Sequence, residues 1–442
     1  MRDRKNILFL ANRLPFPPNK GDKIRTFHQL DQLALSHNVY CACFVDTQHD
    51  MKHVNDLRRW CKGVIAIRWH RARAMLRAAG GLWCGKSLTE AAYCDDAMYH
   101  QVTLLGEKVH FDAAVAFSSY MAPYALAARA RRRVLDMCDV DSEKWFDYAR
   151  RSHFPKSAVF RLEGRRLRAW EQFCLKSFDA TILITDRERR VLDPSCQMSH
   201  MHVIPNGTKL FDRTAGSASL CGPVVGFLGA MDYRPNVEGI RWFVEEVWPT
   251  VIRDVPKARL LIVGRNPTRS VRRLAETQGV VVTGEVPDVQ AYLARCRVVV
   301  TPLQIARGMQ NKALEAMAAR RPVVATPEVA SGLKARPGYH ILTADSSGDF
   351  ARNVVKLCSS DELCREIGDA GYRCVATHYC WPETLQLYER IVLGESAHAH
   401  KLRHRIERRG RRSSVALKRS AAATDRMRSF SPVIREFVED KT

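Results

Sequence analysis

At 442 residues the chain is too long for one ordinary hydrophobic core, so we expect two domains. It has no run of about 18 or more apolar residues, which excludes a membrane-spanning helix from the prediction. The formal net charge of +23 favours an anionic partner without choosing among nucleic acid, a phosphorylated substrate and anionic lipid. The 14 cysteines form no CxxC pair, which argues against a zinc ribbon or a disulfide scaffold and favours buried thiols in a reducing cytosol.

The first half begins like a parallel α/β sheet. A strand from Asn6 to Ala11 is followed by a proline-rich loop, a helix from about Asp22 to Leu35 and a second strand, "NVYCACFV". This order is a βαβ unit, and further strands are predicted at "GVIAI", "AAVAF", "RVLDM" and "ATILIT". A signal peptide is a competing interpretation of the N-terminus, but Arg13 and the prolines interrupt the short apolar run.

A second α/β series begins near Val224. "VVGFLGA" predicts a strand and Val237 to Val251 an amphipathic helix, followed by the apolar strands "ARLLIVG", "VVVTG", "RVVVTP" and "PVVAT". Near-continuous apolar strands are typical of a parallel sheet covered on both faces. We therefore predict one domain over residues 1–212 and another over 223–376, with ligands bound at the strand ends that face an interdomain cleft.

The C-terminal segment has a different composition. From Ser396 to Thr442, 13 Lys and Arg residues stand against 5 Asp and Glu residues, a net charge of +8. The segment has little sustained periodicity, so we predict a disordered basic tail over residues 395–442. An RNA-binding or lipid-binding tail is the alternative.

Two loops have the pattern of an anion site. Gly21 lies between the first strand and its helix, beside Lys23 and Arg25, and exposed amides at a helix start attract phosphate. A structural turn explains this glycine as well.

The second loop is in "RGMQNKALEAM", where Gly308 follows a strand and precedes a helix. Lys312 lies in the first turn of that helix. A cation at this position is repelled by the positive end of the helix dipole, unless a bound anion such as phosphate compensates. Glu315 is a carboxylate among apolar residues and needs donors, either sugar or ribose hydroxyls or an ion pair with Lys312.

"DVDS", from Asp139 to Ser142, places two carboxylates two residues apart. This spacing fits either a magnesium site or a turn and helix N-cap. No GxSxG, HExxH or Walker motif occurs in the sequence.

Read together, the motifs resemble the donor half of a GT-B glycosyltransferase of family 4. The resemblance covers most of residues 224–393 in order, from "VVGFLGAMDYRPN" through "ARLLIVG" and "LEAMAARRPVVAT" to "HYCWPETLQLYERIV". In the first half, "LPFPPNKGDKIRTFHQL", "VLDMCDVDSEKWFDYA" and "IPNGT" resemble sugar transferases associated with exosortase (PEP-CTERM) and exopolysaccharide loci. The resemblance implies an α/β fold of two Rossmann-like domains facing a cleft, with a helix over residues 377–394 that crosses back to the first domain.

The same resemblance implies an activity. A sugar would pass from a nucleotide-sugar to a lipid-linked or oligosaccharide acceptor with retention, without metal or cofactor. The protein would be cytoplasmic, at the inner face of the cytoplasmic membrane, with no nucleic-acid partner. The basic amphipathic stretches Arg68 to Trp83 and Val159 to Phe173 fit an anionic membrane surface, and also fit ordinary surface helices. A nucleotide-sugar epimerase of the same fold and a non-catalytic glycan-binding or nucleotide-binding homologue are the alternatives.

The resemblance also implies site residues. Glu315 matches the second glutamate of the E-x7-E motif, which holds the ribose, while Gly308 and Met309 match positions whose amides approach the diphosphate. The predicted donor-side residues are Gly229, Arg234, Asn236, Gly264, Arg265, Arg307, Gly308, Met309, Gln310, Lys312 and Glu315. The predicted loop on the acceptor side contains Asn19, Gly21, Lys23 and Arg25. No catalytic base is predicted.

The sequence departs from the family pattern at three places. The first glutamate of the motif falls at Arg307, and the second loop glycine falls at Gln310. The usual basic pair after "GFLG" is absent. We expect Lys312 and Arg234 to supply the positive charge for the phosphates instead.

Overall fold

The computed structural model describes residues 4–19, 21–211, 223–306 and 308–395. Two parallel sheets form within these residues, one before and one after residues 212–222. The predicted tail and Arg307 lie outside the described residues.

The first sheet has seven parallel strands within the described residues, in the order β3-β2-β1-β4-β5-β6-β7. The strands are β1 Asn6–Ala11, β2 Asn38–Val45, β3 Cys61–Arg68, β4 Ala113–Phe117, β5 Arg133–Cys138, β6 Ala180–Leu183 and β7 Met201–Val203. The strand order reverses between β1 and β4, and the carboxyl ends of strands at such a switch point open a crevice for ligands.

Alternating side chains of the first sheet enter two cores. Leu8 and Leu10 of β1 pack on one face, while Ile7 and Phe9 pack on the other. Because both faces are covered, each strand near the centre of the sheet is an unbroken apolar run. The helices of this half are α1 Gly21–Ser36, α2 Gln48–Lys52, α3 Val54–Leu57, α4 Arg71–Trp83, α5 Leu88–Tyr93, α6 Asp96–Lys108, α7 Ala122–Ala127, α8 Asp141–Arg150, α9 Lys156–Ser177 and α10 Asp186–Leu192.

The second sheet repeats the same topology. Its order within the described residues is β10-β9-β8-β11-β12-β13, with the switch point between β8 and β11. The strands are β8 Val224–Leu228, β9 Arg259–Val263, β10 Val280–Gly284, β11 Val298–Thr301, β12 Val323–Ala325 and β13 Leu342–Thr343. The helices are α11 Arg234–Trp242, α12 Trp248–Asp254, α13 Arg269–Arg272, α14 Val289–Arg295, α15 Asn311–Ala318, α16 Pro327–Ala330, α17 Ser347–Ser359, α18 Asp361–His378 and α19 Trp381–Leu393.

The segment Val237–Val251 is helical, as predicted, but the helix is not regular. The segment is the end of α11, a π-helical turn at Phe243–Val247 and the start of α12. Pro249 has no amide hydrogen and cannot donate to the carbonyl four residues earlier, so the regular hydrogen-bond ladder is interrupted there.

Helix α19 returns from the second half of the chain to the first. Tyr388 and Val392 are fully buried in the core on one face of the first sheet. At the start of α19, Trp381 packs so closely on Gly207 that a Cβ atom on this glycine would lie 2.7 Å from the Trp381 nitrogen. No described helix combines the length and apolarity that a bilayer crossing requires.

Candidate functional site

Two glycines allow the loops after β8 and β9 to approach each other. A Cβ atom on Gly264 would lie 1.6 Å from the carbonyl oxygen of Gly229. A Cβ atom on Gly229 would lie 2.6 Å from Asn236 Nδ2 and 3.2 Å from Lys312 Nζ. A side chain at Gly264 would push the two loops apart, and one at Gly229 would displace the side chains of Asn236 and Lys312.

Lys312, in the first turn of α15, is fixed beside Gly229. Its Nζ atom donates to Asn236 Oδ1 at 2.5 Å and lies 4.9 Å from the centre of the Phe227 ring. Burial lowers the pKa of this ammonium group to about 7. The buried Asn236 donates in turn to the Ala230 carbonyl at 2.9 Å, so the amide orients Lys312 and is itself held by the backbone.

Glu315 lies one turn further along α15. Among the described residues, no group hydrogen-bonds to its carboxylate, and it forms no ion pair with Lys312. Burial raises the pKa of Glu315 to about 7, and the Lys312 charge opposes that shift. A half-buried carboxylate without a donor is suited to accept hydrogen bonds from hydroxyl groups of a ligand.

The remaining donor-side residues surround this pair. Gly308 has a φ of +60°, and Met309 is buried against the domain junction. Gln310 occupies the N-cap position of α15 without a side-chain cap bond, and Arg265 is half-buried. Arg234 is on the surface, where its Nε atom lies 2.6 Å from Glu238 Oε1.

Two predicted cations of the acceptor-side loop are in fact occupied in buried ion pairs. Lys23 Nζ lies 2.7 Å from Asp50 Oδ1. Arg25, only 1% exposed, binds Asp136 through Nε at 2.9 Å and Nη2 at 3.2 Å. Their contacts therefore do not support the prediction that they bind phosphate, and instead make them part of the first half's interior.

The backbone at Gly21, by contrast, does reach the second half. A Cβ atom on this glycine would lie 3.6 Å from Asn311 Nδ2, at the start of α15. Asn19 is exposed in the preceding turn, where its amide donates to the Pro17 carbonyl at 2.9 Å. The loop thus faces the helix that carries Lys312.

A polar chain that the sequence interpretation missed connects the two sheets. Arg25 Nη1 donates to Asn206 Oδ1 at 2.9 Å, and Asn206 Nδ2 donates to Asn311 Oδ1 at 3.1 Å. The chain runs from Asp136 at the end of β5 to the first residue of α15. In the sequence, Asn206 is visible only as the asparagine of "IPNGT". Its partners Arg25 and Asn311 are too far away along the chain for a local motif to indicate the contacts.

Asp139 is a second residue that the prediction did not place in the site. Its Oδ1 atom is buried without a hydrogen-bond partner, and a Cβ atom on Gly308 would lie 2.1 Å from it. The turn and helix start predicted at "DVDS" are seen, because α8 begins at Asp141, but no side chain caps the helix. Val140 is the N-cap of α8 with no side-chain cap bond, and no three potential ligands among the described residues are grouped for a metal.

A cavity of about 210 Å³ lies at the junction of the two halves, next to Met309. The first half contributes Ile184 and Pro205, and the second contributes Gly332 and Tyr379. Within the donor-side loop, Met309 therefore borders this cavity, and Gly308 lies against Asp139.

Comparison with known proteins identifies the segment that carries the donor-side residues. Residues 222–360 match the family model described as Glycosyl transferases group 1. This span includes every predicted donor-side residue from Gly229 to Glu315. A comparison with curated proteins gives no match.

Solved structures are similar over nearly the whole described chain. Sucrose-phosphate synthase from Thermosynechococcus elongatus is 17% identical with a TM-score of 0.64, over 88% of this chain and 99% of that one. HepE from Anabaena, in complex with UDP and glucose, is 15% identical with a TM-score of 0.62, over 87% and 98%. WaaG, a glycosyltransferase involved in lipopolysaccharide biosynthesis, is 13% identical with a TM-score of 0.58, over 88% and 100%.

The chain has the GT-B fold. The predicted fold class is confirmed, and the group 1 match supports a role in glycosyl transfer. An alignment with a mutant of S. aureus TarM is shorter, covering 66% of this chain and 58% of that protein, at 16% identity and a TM-score of 0.51. Identities this low reflect a shared fold.

Proposed function

We propose that this protein is a glycosyltransferase that moves a sugar from a nucleotide-sugar donor to a glycan acceptor. One observation carries the proposal. The segment that matches the glycosyl transferases group 1 model brings Gly229, Lys312 and Glu315 together at the switch point of the second sheet. Ligands of parallel α/β sheets bind at such points.

The chemistry of these groups suits a nucleoside diphosphate. The Lys312 ammonium and the amides that open α15 would bind the two phosphates, because a helix start attracts negative charge. The Glu315 carboxylate would accept hydrogen bonds from ribose hydroxyls. Charge that develops on the departing diphosphate would be stabilised by groups already in position, which is the main requirement for breaking the glycosidic bond to the nucleotide.

We propose that transfer retains the anomeric configuration, as the resemblance to family 4 implies. The transition state would be oxocarbenium-like, as at other glycosidic centres. Nuclear magnetic resonance of the first product would show the same anomeric configuration as in the donor. An inverted product would contradict retention and leave the proposal of glycosyl transfer intact.

We also propose that the acceptor is lipid-linked and that the protein binds an anionic membrane surface through α4. Three apolar side chains of this helix face solvent: Met75 is 70% exposed, Leu76 73% and Trp83 93%. Arg71 and Arg73 on the same helix are exposed as well. Large exposed apolar groups beside basic ones are typical of helices that lie on anionic lipid.

The neighbouring helix α9 extends this surface. Val159, Leu162 and Phe173 are exposed on it. The connection runs through α5, since Glu163 of α9 accepts hydrogen bonds from the backbone of Thr89, and Arg77 of α4 donates to the Ala92 carbonyl at 3.2 Å. The exposed apolar side chains therefore belong to two helices that are both hydrogen-bonded to α5.

A thermal-shift screen tests the donor part of the proposal. The melting temperature is measured with UDP-glucose, UDP-N-acetylglucosamine and GDP-mannose, and with UDP and GDP alone. At least one nucleotide-sugar should raise the melting temperature in a concentration-dependent way, because a ligand that binds only the folded state stabilises it. If none of the five nucleotides changes it, the proposed donor class is wrong.

A further inference from the structure

Asp139 is a half-buried residue at the boundary between the two halves, and its Oδ1 atom is fully buried. It follows directly after β5, at the carboxyl end of the first sheet. Its Oδ1 atom points at Gly308, in the loop that leads to α15. Gly308 cannot withdraw, because Gly332 packs behind it so closely that a Cβ atom there would lie 2.4 Å from the Gly308 oxygen.

The backbone around Asp139 is held on both sides. The Val140 amide donates to Glu188 Oε2 at 2.8 Å, and the Ser142 amide donates to Glu171 Oε1 at 3.0 Å. Before it, Cys138 adopts a φ of +64°, and its amide donates to Asp136 Oδ1 at 3.2 Å. A left-handed conformation at a residue other than glycine persists only where its surroundings enforce it, so this carboxylate is preorganised.

The fold alone gives no reason for a carboxylate at this position. Asp139 Oδ1 has no hydrogen-bond partner, although a buried polar atom without one is costly. Burial and, to a smaller extent, the nearby carboxylates of Glu188 and Asp141 raise the pKa of Asp139 to about 7, against the charges of Arg25 and Lys144. An arrangement that destabilises the free protein in this way is typical of a group that acts on a ligand.

We propose that Asp139 binds the sugar of the nucleotide-sugar donor by accepting a hydrogen bond from one of its hydroxyl groups. This inference rests on the proposed function. With the diphosphate at Lys312 and the start of α15, the attached sugar extends past Gly308 toward the first half. A carboxylate surrounded by other carboxylates would repel a phosphate, whereas a sugar hydroxyl can donate a hydrogen bond to it. Gly308 covers Oδ1, so the hydroxyl would donate to Oδ2.

Isothermal titration calorimetry with Asp139→Asn tests the inference. Wild type and variant are titrated with UDP-glucose, UDP-N-acetylglucosamine and GDP-mannose, and with UDP and GDP. The variant should bind the cognate nucleotide-sugar roughly 10- to 100-fold more weakly, the usual loss of a hydrogen bond to a charged group. Its affinity for the matching nucleoside diphosphate should change less than about twofold, because that part of the ligand lies in the second half.

Two other results would overturn the inference. Asp139→Asn could leave the affinity for the nucleotide-sugar unchanged, or it could weaken the nucleotide-sugar and the nucleoside diphosphate equally. If the wild type binds none of the five ligands, the proposed function itself fails, and this inference fails with it. The two failures are distinguishable, because failure of the proposed function is seen with the wild type, whereas failure of this inference alone is seen only with the variant.

Two controls exclude loss of fold as the explanation. Asp254→Asn makes the same change at an exposed residue paired with Arg253, and it should bind every ligand as the wild type does. Asp139→Asn should melt at or above the wild-type temperature at about pH 8, since it removes a buried charge that has no partner. Asp139→Ala should repeat the selective loss for nucleotide-sugars.

Discussion

Lys312 and Glu315 lie one turn apart on α15, and burial disfavours the charge of both. The pKa of the lysine is lowered to about 7 and that of the glutamate is raised to about 7. Each charge favours the other, but the effect of burial on both groups is larger. Groups perturbed in this way cluster where proteins bind ligands.

The structure ranks the two cations that we expected to bind the phosphates. Lys312 is half-buried at the site and bonded to Asn236, whereas Arg234 is exposed and bound to Glu238. We predict that Lys312→Ala weakens binding of the cognate nucleoside diphosphate by roughly 10- to 100-fold, as loss of a charged hydrogen bond would. Arg234→Ala should change it by less than about threefold, because an exposed, already paired cation contributes little.

Isothermal titration of both variants with UDP and GDP measures the difference. A larger loss in the Arg234 variant, or equal affinity in the Lys312 variant and the wild type, would show that the phosphates bind elsewhere. Asn236 orients the lysine through a hydrogen bond and carries no charge of its own.

Glu315 should make the stability of the free protein depend on pH. Because its pKa in the folded protein is raised from 4.5 to about 7, its charge destabilises the fold as the pH rises through that interval. We predict that Glu315→Gln matches the wild type near pH 4.5 and is more stable above about pH 7, by at most about 3 kcal/mol. Denaturant unfolding of both proteins across this range provides the measurement, and parallel stability curves would contradict the burial of this carboxylate.

Some site residues were predictable from the sequence and others were not. A single carboxylate in the apolar pattern of α15 identifies Glu315 without any knowledge of the fold. Lys23 and Arg25 looked like free cations because their partners, Asp50 and Asp136, are 27 and 111 residues away. Asp139 was visible in "DVDS", but its contact with Gly308 depends on how the two sheets approach.

Among the secondary-structure elements, strands that consist of an unbroken apolar run were predicted correctly. "NVYCACFV" and "AAVAF" coincide with β2 and β4, because side chains on both faces of these strands are buried. β3 extends beyond "GVIAI" to Cys61–Arg68, since an edge strand has mixed polarity at its ends. The π-helical turn before α12 has no periodic signature, so the sequence could not indicate it.

We predict that the exposed apolar side chains of α4 contribute to membrane binding. Replacing Met75, Leu76 and Trp83 together by serine should reduce binding to vesicles that contain phosphatidylserine by more than about tenfold, because each replacement removes apolar area that lipid would cover. Co-sedimentation with these vesicles and with neutral phosphatidylcholine vesicles is the measurement. The same variant should bind its nucleotide-sugar as the wild type does.

A matched control comes from a different surface. Val289 and Leu387 are exposed apolar residues away from α4 and α9 in sequence, and replacing both by serine should leave vesicle binding unchanged. If wild type binds neither kind of vesicle, or if the α4 variant binds as well as wild type, the membrane surface is not on α4.

At the scale of the whole molecule, the two sheets are connected by specific contacts. Arg151 Nη2 donates to the Gln304 carbonyl at 3.1 Å, and Arg187 Nη1 donates to Ser331 Oγ at 3.1 Å. Together with the Asn206–Asn311 bond, these contacts fix the approach of the first half to the donor-side loop. Gly308 of that loop lies against Asp139.

Gly308→Ala should therefore disrupt this junction. Its φ of +60° costs an alanine about 1–2 kcal/mol, and its Cβ atom would also overlap Asp139. Gly284→Ala is the matched control, because Gly284 has a φ of +73° with no atom within 4 Å of a Cβ atom. We predict that both variants melt at lower temperature but that only Gly308→Ala also loses affinity for the nucleotide-sugar. Equal ligand affinities would contradict the contact.

We propose above all that the site between β8 and α15 transfers sugar from a nucleotide donor. The most direct measurement incubates the protein with the nucleotide-sugar that raises its melting temperature and with membranes containing lipid-linked acceptors, and quantifies the nucleoside diphosphate released and the sugar incorporated into lipid. We predict that the wild type releases nucleoside diphosphate and incorporates sugar in equal amounts. The double variant Lys312→Ala, Glu315→Gln should transfer sugar at least about 100-fold more slowly. Transfer at the wild-type rate by the double variant, or epimerised nucleotide-sugar without release of nucleoside diphosphate, would contradict this proposal.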